Sequence, residues 1–376
     1  MTYLPLRGDF APEPAADAER LQSVRQAALA MRAGRPVIFR ATAPQLILAA
    51  ETADQEQIAL WLDQASARPV LLLTPVRAAA VLRRPVPGHP VALRLPAGQL
   101  TPDGLRRLAD PVEDAATTDA TPDAEAPDHA AASLLLAKLA HLLPAVLSVP
   151  LSPAAAEAAR RSGVAVVAAE DVKAAPDGIA ASLRRVAEAR VPLEGAEDAR
   201  VVAFRAVEAG VDHLAILIGK PETAEAPLVR LHSECFTGDL LGSLRCDCGP
   251  QLRGAIRRMA GEGAGVLLYL AQEGRGIGLA NKLRAYALQD RGLDTLDANR
   301  ALGFEPDERS FAVAAAMLHQ LGVTRLRLLT NNPDKLAALS ERGIEVVGRA
   351  GHAVAPNGIN DSYLATKARR FGHLLG

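Results

Sequence analysis

Residues 265–292 read GVLLYLAQEGRGIGLANKLRAYALQDRG, and this stretch contains the pattern that decides the fold. The apolar run Gly265–Leu270 predicts a buried strand, and the glycine-rich segment Gln272–Leu279 predicts a loop. Residues Ala280–Arg291 then have helical spacing, and Gly292 is placed to end that helix. A strand, a loop and a helix in this order are the repeating unit of α/β proteins.

Similar patterns occur on both sides of this unit. In the second half they predict helices at Gln251–Glu262 and Asp307–Leu321, a strand at Arg325–Thr330, a helix starting at Asn332-Pro333, and a strand at Ile344–Val347. In the first half they predict helices at 20–33 and Ala130–Leu143, and strands at Pro36–Phe39, Gln45–Ala50, Pro69–Leu73 and Val164–Ala168. We therefore predict a mixed α/β (α+β) fold.

The segment of residues 110–128 interrupts the pattern of the first half. It holds seven acidic residues, three prolines and no basic residue. Because such a composition buries too little apolar surface to offset chain entropy, it predicts a mobile, solvated loop or linker. The chain has 376 residues, and at roughly 100–200 residues per domain two domains are expected. We place them at residues 1–185 and 186–376.

The overall composition argues against several classes of protein. The net charge of −1 and the pI of about 6.7 provide no basic field for nucleic acid. No stretch reaches the roughly 18 unbroken apolar residues of a membrane helix. The N-terminal MTYLPLRGDFAPEPAADAER lacks the basic start and apolar run of a secretory signal. We expect a soluble, cytoplasmic protein with no nucleic-acid or membrane partner.

The three cysteines of the chain, Cys235, Cys246 and Cys248, lie within 14 residues. A structural disulfide is not expected in a reducing compartment. Three thiolates leave the fourth position of a tetrahedral zinc open, which is typical of catalytic zinc, and such a metal lowers the pKa of a bound water to about 7. Two other interpretations stay open: a structural zinc with a fourth ligand such as His232, or three buried thiols without a metal.

Three further motifs each allow a chemical and a structural interpretation. Backbone amides of Gln272–Gly278 can approach a phosphate that Arg275 grips, or the segment is an ordinary strand-to-helix turn. By pattern alone, Asp307 is a helix N-cap and Arg309 a surface residue. The segment Thr330–Lys335 opens a helix at the end of a strand, which is either an anion site with its lysine as the charge or a capped helix start.

Taken in order and spacing, these motifs resemble the GTP cyclohydrolase II family of riboflavin biosynthesis. The resemblance is carried by HSECFTGDLLGSLRCDCGPQL (232–252), LAQEGRGIGLANKLRAYALQD (270–290), LGFEPDERSF (302–311) and LLTNNPDK (328–335). It runs from about Arg185 to the C-terminal YLATKARRFGHLL, which is roughly half of the chain. Two places depart from the family pattern: Ala271 stands where arginine is frequent, and residues 193–204 lack the usual glycine-and-aromatic pattern.

The resemblance implies a hydrolase acting on cyclic amidine C–N bonds, which converts GTP to formate, pyrophosphate and 2,5-diamino-6-ribosylamino-4(3H)-pyrimidinone 5′-phosphate. It implies one zinc on Cys235, Cys246 and Cys248, and Mg²⁺ on the triphosphate. Tyr286 would lie near the zinc and the guanine, Asp307 would be the general base, and Arg309 the nucleophile on the α-phosphate. The positions that match GTP contacts are Arg230, His232, Ser233, Glu234, Gln251, Glu273, Gly274, Arg275, Thr295, Thr330 and Lys335.

We also expect a homodimer. Two alternative functions stay open on the sequence. One is a cyclohydrolase-like enzyme with a different product or pathway, and the other is a non-catalytic GTP-sensing module. The identity of the product by mass distinguishes the first alternative, and zinc content with formate release distinguishes the second.

The first half more faintly resembles 3,4-dihydroxy-2-butanone 4-phosphate synthase. The resemblance is carried by Pro36–Phe39, Leu46–Glu51, His129 and Leu136–Ala140. The acidic, Mg²⁺-binding loop of that family is replaced by Arg40–Gln45, and Ala131 stands where its glutamate is expected. Without paired carboxylates there is neither a Mg²⁺ site nor an acid/base pair. We therefore expect a degenerate half that is kept for structure, dimerisation or regulation.

Overall fold

The fold was obtained as a computed structural model, which describes residues 15–41, 43–113, 117–123, 125–206, 210–352, 354, 357–360 and 369–370. These residues form two seven-stranded sheets with helices packed on their faces, which confirms the predicted mixed α/β class. The N-terminal residues 1–14 and most of the C-terminal YLATKARRFGHLL lie outside the described residues. Across the described ranges, no helix is both long and apolar enough to span a bilayer.

The first sheet has the strand order β5-β4-β3-β6-β2-β1-β7. Its strands are β1 Val37–Arg40, β2 Gln45–Ala49, β3 Val70–Leu73, β4 Val91–Arg94, β5 Thr121–Pro122, β6 Ala145–Pro150 and β7 Ala165–Ala168. Strands β1 and β7 pair in parallel, and the other neighbours are antiparallel. The helices of this half are α1 Ala15–Arg32, α2 Gln55–Asp63, α3 Pro75–Leu82, α4 Pro102–Ala109, α5 Ala130–Leu139, α6 Pro153–Arg161 and α7 Ala169–Ala181.

The two faces of the first sheet are covered differently. Helices α1, α5 and α7 pack on one face and bury residues such as Met31, Phe39 and Leu136. The other face packs against α2, α3, α4 and α6, and its apolar cluster continues into the second half of the chain. The second-half residues in that cluster are Ile277, Ala285, Leu288, Ala298, Leu302 and Phe304. The two halves therefore share one continuous hydrophobic core.

The second sheet has the strand order β14-β13-β11-β12-β10-β9-β8. Its strands are β8 Leu183–Arg190, β9 Arg200–Ala206, β10 Asp212–Gly219, β11 Leu228–Ser233, β12 Ala264–Leu270, β13 Arg325–Leu329 and β14 Glu345–Ala350. Strands β14, β13, β11 and β12 are parallel, whereas β12, β10, β9 and β8 are antiparallel. Its helices are α8 Cys248–Glu262, α9 Leu279–Asp290, α10 Thr295–Ala301, α11 Ala312–Gln320 and α12 Asp334–Ser340.

Helix α11 covers one face of the second sheet, where Met317 and Leu318 are buried, and α8 covers the other through Ala255 and Met259. The parallel strands β11, β12 and β13 all end at the same edge. The carboxyl edge of parallel strands is where ligands bind in α/β sheets, because loops and helix starts converge there. The loops that leave these strands are the ones that contain the cysteines, the glycine-rich segment and Thr330.

One of the predicted elements is wrong. The helix predicted at Asp307–Leu321 begins only at Ala312, because bonds to the glycine-rich loop hold residues 307–311 outside the helix. The segment 110–128 is irregular over most of its described part, and it lies within the first half, since β6 and β7 follow it in the first sheet. Within its described part, β5 pairs with β4 and Ala120 is buried. The domain boundary at residue 185 stays a prediction.

Candidate active site

A pocket with an empty volume of about 1150 Å³, open to solvent, lies at the carboxyl edge of the second sheet. Every sequence-predicted site residue except Asp307 lines it: the three cysteines, Tyr286, Arg309 and the positions matched to GTP contacts. Asp307 does not line the pocket itself, but it forms an ion pair with Arg309, which does. Residues separated by more than 100 positions in the sequence are thus brought to one cavity.

The three cysteines form a cluster in the lining of this pocket that could hold a metal ion. Their sulfur atoms lie within 4.8 Å of one another, and the Cys235 and Cys246 sulfurs are 3.9 Å apart. Zinc–sulfur bonds of about 2.3 Å place two tetrahedral ligands about 3.8 Å apart, so the spacing fits. Gly238 makes room for the cluster, since a Cβ there would lie 2.6 Å from the Cys246 sulfur. A side chain at position 238 would therefore displace the thiols.

The cluster is electrostatically prepared for a cation. Hydrogen bonds with the other two thiols, together with the Lys282 ammonium, lower the pKa of the Cys235 thiol far below its ordinary value. The Cys235 thiolate in turn raises the pKa values of the Cys246 and Cys248 thiols. A divalent cation among the sulfurs would remove this mutual repulsion and favour three thiolates.

The side chain of Asp239 is buried beside the three cysteines and contacts three groups around them. Its carboxylate accepts hydrogen bonds at 3.1 Å from the Cys235 backbone N–H and the Tyr269 hydroxyl, and lies 3.1 Å from His232 Nε2. His232 also stacks on the Tyr269 ring. The Nε2 of His232 is therefore engaged by Asp239, and His232 is not among the side chains that converge with the three sulfurs. Burial lowers the pKa of His232.

The glycine-rich loop after β12 has an unusual backbone. Gly274 and Gly276 have φ of 62° and 96°, and Arg275 has φ of 64°, a left-handed conformation that costs a non-glycine residue about 1–2 kcal/mol. A Cβ at Gly276 would lie 2.8 Å from the Glu308 carbonyl oxygen, so this glycine permits a close approach of two loops. Glu273 anchors the loop, because its carboxylate accepts from Lys282 Nζ at 2.8 Å and from the Phe236 N–H at 2.6 Å.

Asp307 and Arg309 form a bidentate pair at the rim of the pocket. Arg309 Nε donates to Asp307 Oδ1 at 2.7 Å, and Nη2 contacts the second carboxylate oxygen. Burial would raise the pKa of Asp307, but the bonds from Arg309 and the charge of Arg275 lower it overall. The N-cap of α11 is Phe311, so the interpretation of Asp307 as the cap of that helix is wrong.

Tyr286 is placed by helix α9, on the same face as Lys282 because the two are four residues apart. Its hydroxyl lies 3.4 Å from the Thr237 hydroxyl, in the loop between the first two cysteines. The Arg245 guanidinium lies 4.7 Å from the centre of its ring. Burial raises the pKa of Tyr286, so the hydroxyl keeps its proton at neutral pH. It is therefore available as a hydrogen-bond donor.

Two buried cations, Arg230 and Lys335, also line the pocket. Arg230 donates to the Gln251 side chain and, at 3.3 Å, to the Leu329 carbonyl, but its Nε has no partner within the described residues. Burial lowers the pKa of Arg230 to about 10, so the guanidinium stays charged at neutral pH. Lys335 Nζ donates to the Leu231 carbonyl at 2.9 Å. These groups favour an anionic ligand.

Comparison with known proteins identifies the family of this chain. The family described as GTP cyclohydrolase II matches residues 184–351. The GTP cyclohydrolase-2 of Azospirillum brasilense is 46% identical over 393 aligned positions, covering 99% of this chain and 100% of that protein. The chain belongs to the GTP cyclohydrolase II family. It is accordingly an enzyme.

Other relatives match a smaller share of the chain. The GTP cyclohydrolase-2 of Citrobacter koseri is 53% identical to 52% of this chain, which covers 98% of that shorter family member. Among solved structures, a two-domain 3,4-dihydroxy-2-butanone 4-phosphate synthase of A. baumannii aligns with 87% of this chain and 99% of its own. Its identity is 19% and its TM-score 0.31, values too low to extend to shared chemistry.

Several pocket residues of this GTP cyclohydrolase II family member were not identified from the sequence. They are Arg245, Lys282, Gln289, Asn299, Asn331 and Asn332, with Asp239 behind the wall. The i, i+4 spacing of Lys282 and Tyr286 on one helix was the available signal for Lys282. No local pattern indicates Asp239, because its partners lie on two strands and a loop.

Proposed function

We propose that this chain catalyses the zinc-dependent hydrolysis of GTP to formate, pyrophosphate and 2,5-diamino-6-ribosylamino-4(3H)-pyrimidinone 5′-phosphate, the first step of riboflavin biosynthesis. The observation that carries the proposal is a three-thiol cluster that shares one pocket with an Asp–Arg pair and a set of buried cations. The thiol cluster would hold the metal that opens the purine ring. The Asp–Arg pair and the buried cations would act on the triphosphate.

Cys235, Cys246 and Cys248 would hold the zinc, with Asp239 and His232 orienting the loop that contains the first ligand. When bound, zinc supplies a Lewis acid that activates water for hydrolysis at neutral pH. Lys282 would offset part of the thiolate charge, since its ammonium is 3.1 Å from the Cys235 sulfur. Pairing with Glu273 and Cys235 outweighs burial and raises the pKa of Lys282, so it stays charged.

The charge of the pocket wall matches a triphosphate. The lining contains six cationic side chains, Arg230, Arg245, Arg275, Arg309, Lys282 and Lys335, against the two carboxylates of Glu234 and Glu273 and the three cysteine thiols, whose negative charge a bound zinc would largely offset. This excess of positive charge favours a polyanion, and GTP would enter with Mg²⁺ on its phosphates. Thr295 and Thr330 supply hydroxyls on the same wall.

Release of pyrophosphate is assigned to the Asp307–Arg309 pair. The family resemblance makes Arg309 the nucleophile on the α-phosphate and Asp307 its general base. A guanidinium is normally protonated at any physiological pH and a poor nucleophile. The bidentate contact supports the assignment, because the carboxylate that must take the proton already touches two guanidinium nitrogens. The Tyr286 hydroxyl is positioned beside the thiol cluster to donate a hydrogen bond during ring opening.

The purified full-length protein, incubated with GTP, tests the proposal. Formate and pyrophosphate should be released in equal amounts, the pyrimidinone phosphate should be identified by mass, and about one zinc per chain should be measured. The Cys246→Ser variant provides the metal-site control. Pyrophosphate without formate would show an enzyme that leaves the purine ring closed, and formate with a different product mass would show another reaction. Either result contradicts the proposal.

A further inference from the structure

Two elements that contain candidate active-site residues rest directly on the first half of the chain. Helix α9 presents Lys282 and Tyr286 to the pocket, while its Leu288 packs into the core of the first sheet. On the same helix, Arg284 makes ion pairs of 2.8 Å with Glu51 and with Asp110 of the first half. The helix that forms one wall of the pocket is therefore fixed from outside the second half.

The second such element is the loop that contains Asp307 and Arg309. Glu308 lies between them in sequence and pairs with Lys138 of helix α5, with Nζ and Oε1 2.5 Å apart and both side chains 19% exposed. The same carboxylate oxygen accepts from the Glu305 N–H at 2.7 Å. The Glu308 N–H donates to the Arg275 carbonyl at 3.1 Å. Glu308 therefore joins the rim loop to the glycine-rich loop and to the first half.

This loop has no helix or strand to hold it, because α11 begins only at Ala312. Its fixed points among the described contacts are the bonds of Glu308 and the bond from Gln272 Nε2 to the Ser310 carbonyl, at 2.9 Å. The Lys138 side chain also lies over the Phe304 ring, 5.8 Å from its centre, where the loop leaves the shared core. Lys138 thus contacts the loop on both sides of Pro306.

We infer that Lys138 is a positioning residue of the cyclohydrolase site: acting through Glu308, the first half of the chain holds Arg309 in the pocket. The inference rests on the proposed function and assigns a role in the cyclohydrolase site to the first half of the chain. A displacement of about 1 Å in a catalytic group can cost about a hundredfold in rate, so a single ion pair at the base of such a loop is sufficient to matter.

The test uses the full-length protein with Lys138→Met, Glu308→Gln and the double variant. Lys138→Met keeps the apolar stem and removes the charge. Arg94→Met is the control for the loss of an ion pair, because Arg94 pairs with Asp123 at 2.5 Å at the edge of the first sheet and neither residue lines the pocket, although Arg94 is more exposed than Lys138. Formate release gives kcat and KM for GTP, and zinc content and thermal unfolding report on the fold.

We expect Lys138→Met to lower kcat about tenfold or more, with zinc content unchanged, because the loop is misplaced rather than unfolded. KM should change little, since the buried cations Arg230 and Lys335 are held by the Leu329 and Leu231 carbonyls and not by this loop. The double variant should lose no more than the worse single variant, because the two residues act as a pair. Lys138→Arg, which keeps the charge, should recover most of the rate.

Three results would overturn the inference. Wild-type kcat in both Lys138→Met and Glu308→Gln would show that the pair does not position the loop. An equal loss of kcat in Arg94→Met, or a loss that only follows lost zinc or lost folding, would show a general structural effect. A wild-type protein that releases no formate removes the proposed function and the inference with it, and is distinguished from the other two by the wild-type assay alone.

Discussion

The Lys282 ammonium lies 3.1 Å from the Cys235 sulfur, and the two residues are 9% and 5% exposed. A buried cation beside a thiolate stabilises the ionised form of the cysteine even without a bound metal. With a divalent cation present, the cation and Lys282 together carry three positive charges against three thiolates. The fourth negative charge, Glu273, lies on the far side of Lys282 at 2.8 Å and fixes the lysine in place.

Replacing Cys246 by Ser should remove both the zinc and formate release. A serine hydroxyl is a far weaker zinc ligand than a thiolate, and the remaining two sulfurs cannot complete the site. Metal analysis of the purified variant and a GTP assay check this expectation. Arg309→Ala is the control, because it should keep zinc. Full zinc occupancy in Cys246→Ser would sink the metal assignment.

Arg309→Ala should abolish turnover while the protein still folds and binds zinc. The guanidinium is at the pocket rim, paired with Asp307 and with no role in either sheet. Arg205→Ala provides a matched comparison, since Arg205 makes the same bidentate contact with Asp212 on the outside of the second sheet, at 2.6 and 2.9 Å. That variant should keep wild-type formate release. Near-normal turnover in Arg309→Ala would favour the interpretation of Arg309 as a structural ion-pair partner.

Tyr286→Phe should retain GTP binding and lose most ring opening. The change removes one hydroxyl, 3.4 Å from Thr237, and leaves the ring against Arg245. General acid–base or hydrogen-bonding groups of this kind contribute about 10²–10⁴-fold in rate. The variant should therefore keep the wild-type binding constant for GTP while its rate of formate release falls. If the hydroxyl were only a packing feature of α9, both quantities would stay at their wild-type values.

The local part of this site was predictable from the sequence, and the non-local part was not. The strand, glycine-rich loop and helix of residues 265–292 were correctly predicted, because each element follows from spacing within a few residues. The clustering of cysteines within 14 residues likewise indicated their convergence. The start of the helix after Asp307 was misplaced, since contacts with Gln272 and Arg275 hold residues 307–311 outside it. Periodicity carries no information about such contacts.

Local patterns in the sequence also failed to indicate parts of the second sheet and of the shared core. Strands β8 to β11 were not identified from their sequences, although they supply one side of the sheet and the strand that leads to Cys235. Alternation is weak in β11, where Arg230 and His232 are buried among apolar residues because they serve the pocket. The composition of the acidic segment 110–128 predicts a loop or linker. It does not indicate that Asp110, at the start of the segment, forms an ion pair with Arg284 across the two halves.

Stability should fall as the pH drops from about 6.5 to 4, in part through His213. Burial lowers the pKa of this histidine to about 4, and its Nδ1 accepts the Ala271 N–H at 3.1 Å, which requires the neutral ring. The unfolded chain takes up the proton near pH 6.5, whereas the folded protein does not. The stabilisation is therefore complete above pH 6.5 and is lost towards pH 4, by about 3 kcal/mol at most.

Urea unfolding at several pH values between 7 and 4 measures this dependence. His213→Asn can keep an acceptor for the Ala271 N–H but cannot take up a proton. Its free energy of unfolding should fall less steeply with decreasing pH than that of the wild type. His129→Asn is a useful comparison, since burial also lowers the pKa of His129 to about 4 on the other half of the chain. Identical slopes in wild type and His213→Asn would contradict the expectation.

The first half should make no 3,4-dihydroxy-2-butanone 4-phosphate from ribulose 5-phosphate, even with Mg²⁺. Mg²⁺ is bound mainly through carboxylates and water, and the chemistry needs groups that move protons. Across the described residues of this half, no set of three histidine, cysteine or carboxylate ligands converges on one point. His129, which survives from the family pattern, is buried with its Nε2 3.0 Å from the Ser148 hydroxyl.

Glu51 provides the strongest argument for this prediction, because its carboxylate is already engaged in other contacts. One oxygen accepts from Arg284 of α9 at 2.8 Å and the other from the Leu143 N–H at 2.8 Å, so the group is committed to the contact between the halves. The assay should include an active synthase as a positive control, and the same sample should release formate from GTP. Detectable butanone phosphate from the full-length protein alone would mean that carboxylates such as Glu51 can leave that contact to bind Mg²⁺, and the first half would then be a second enzyme rather than a support for the first.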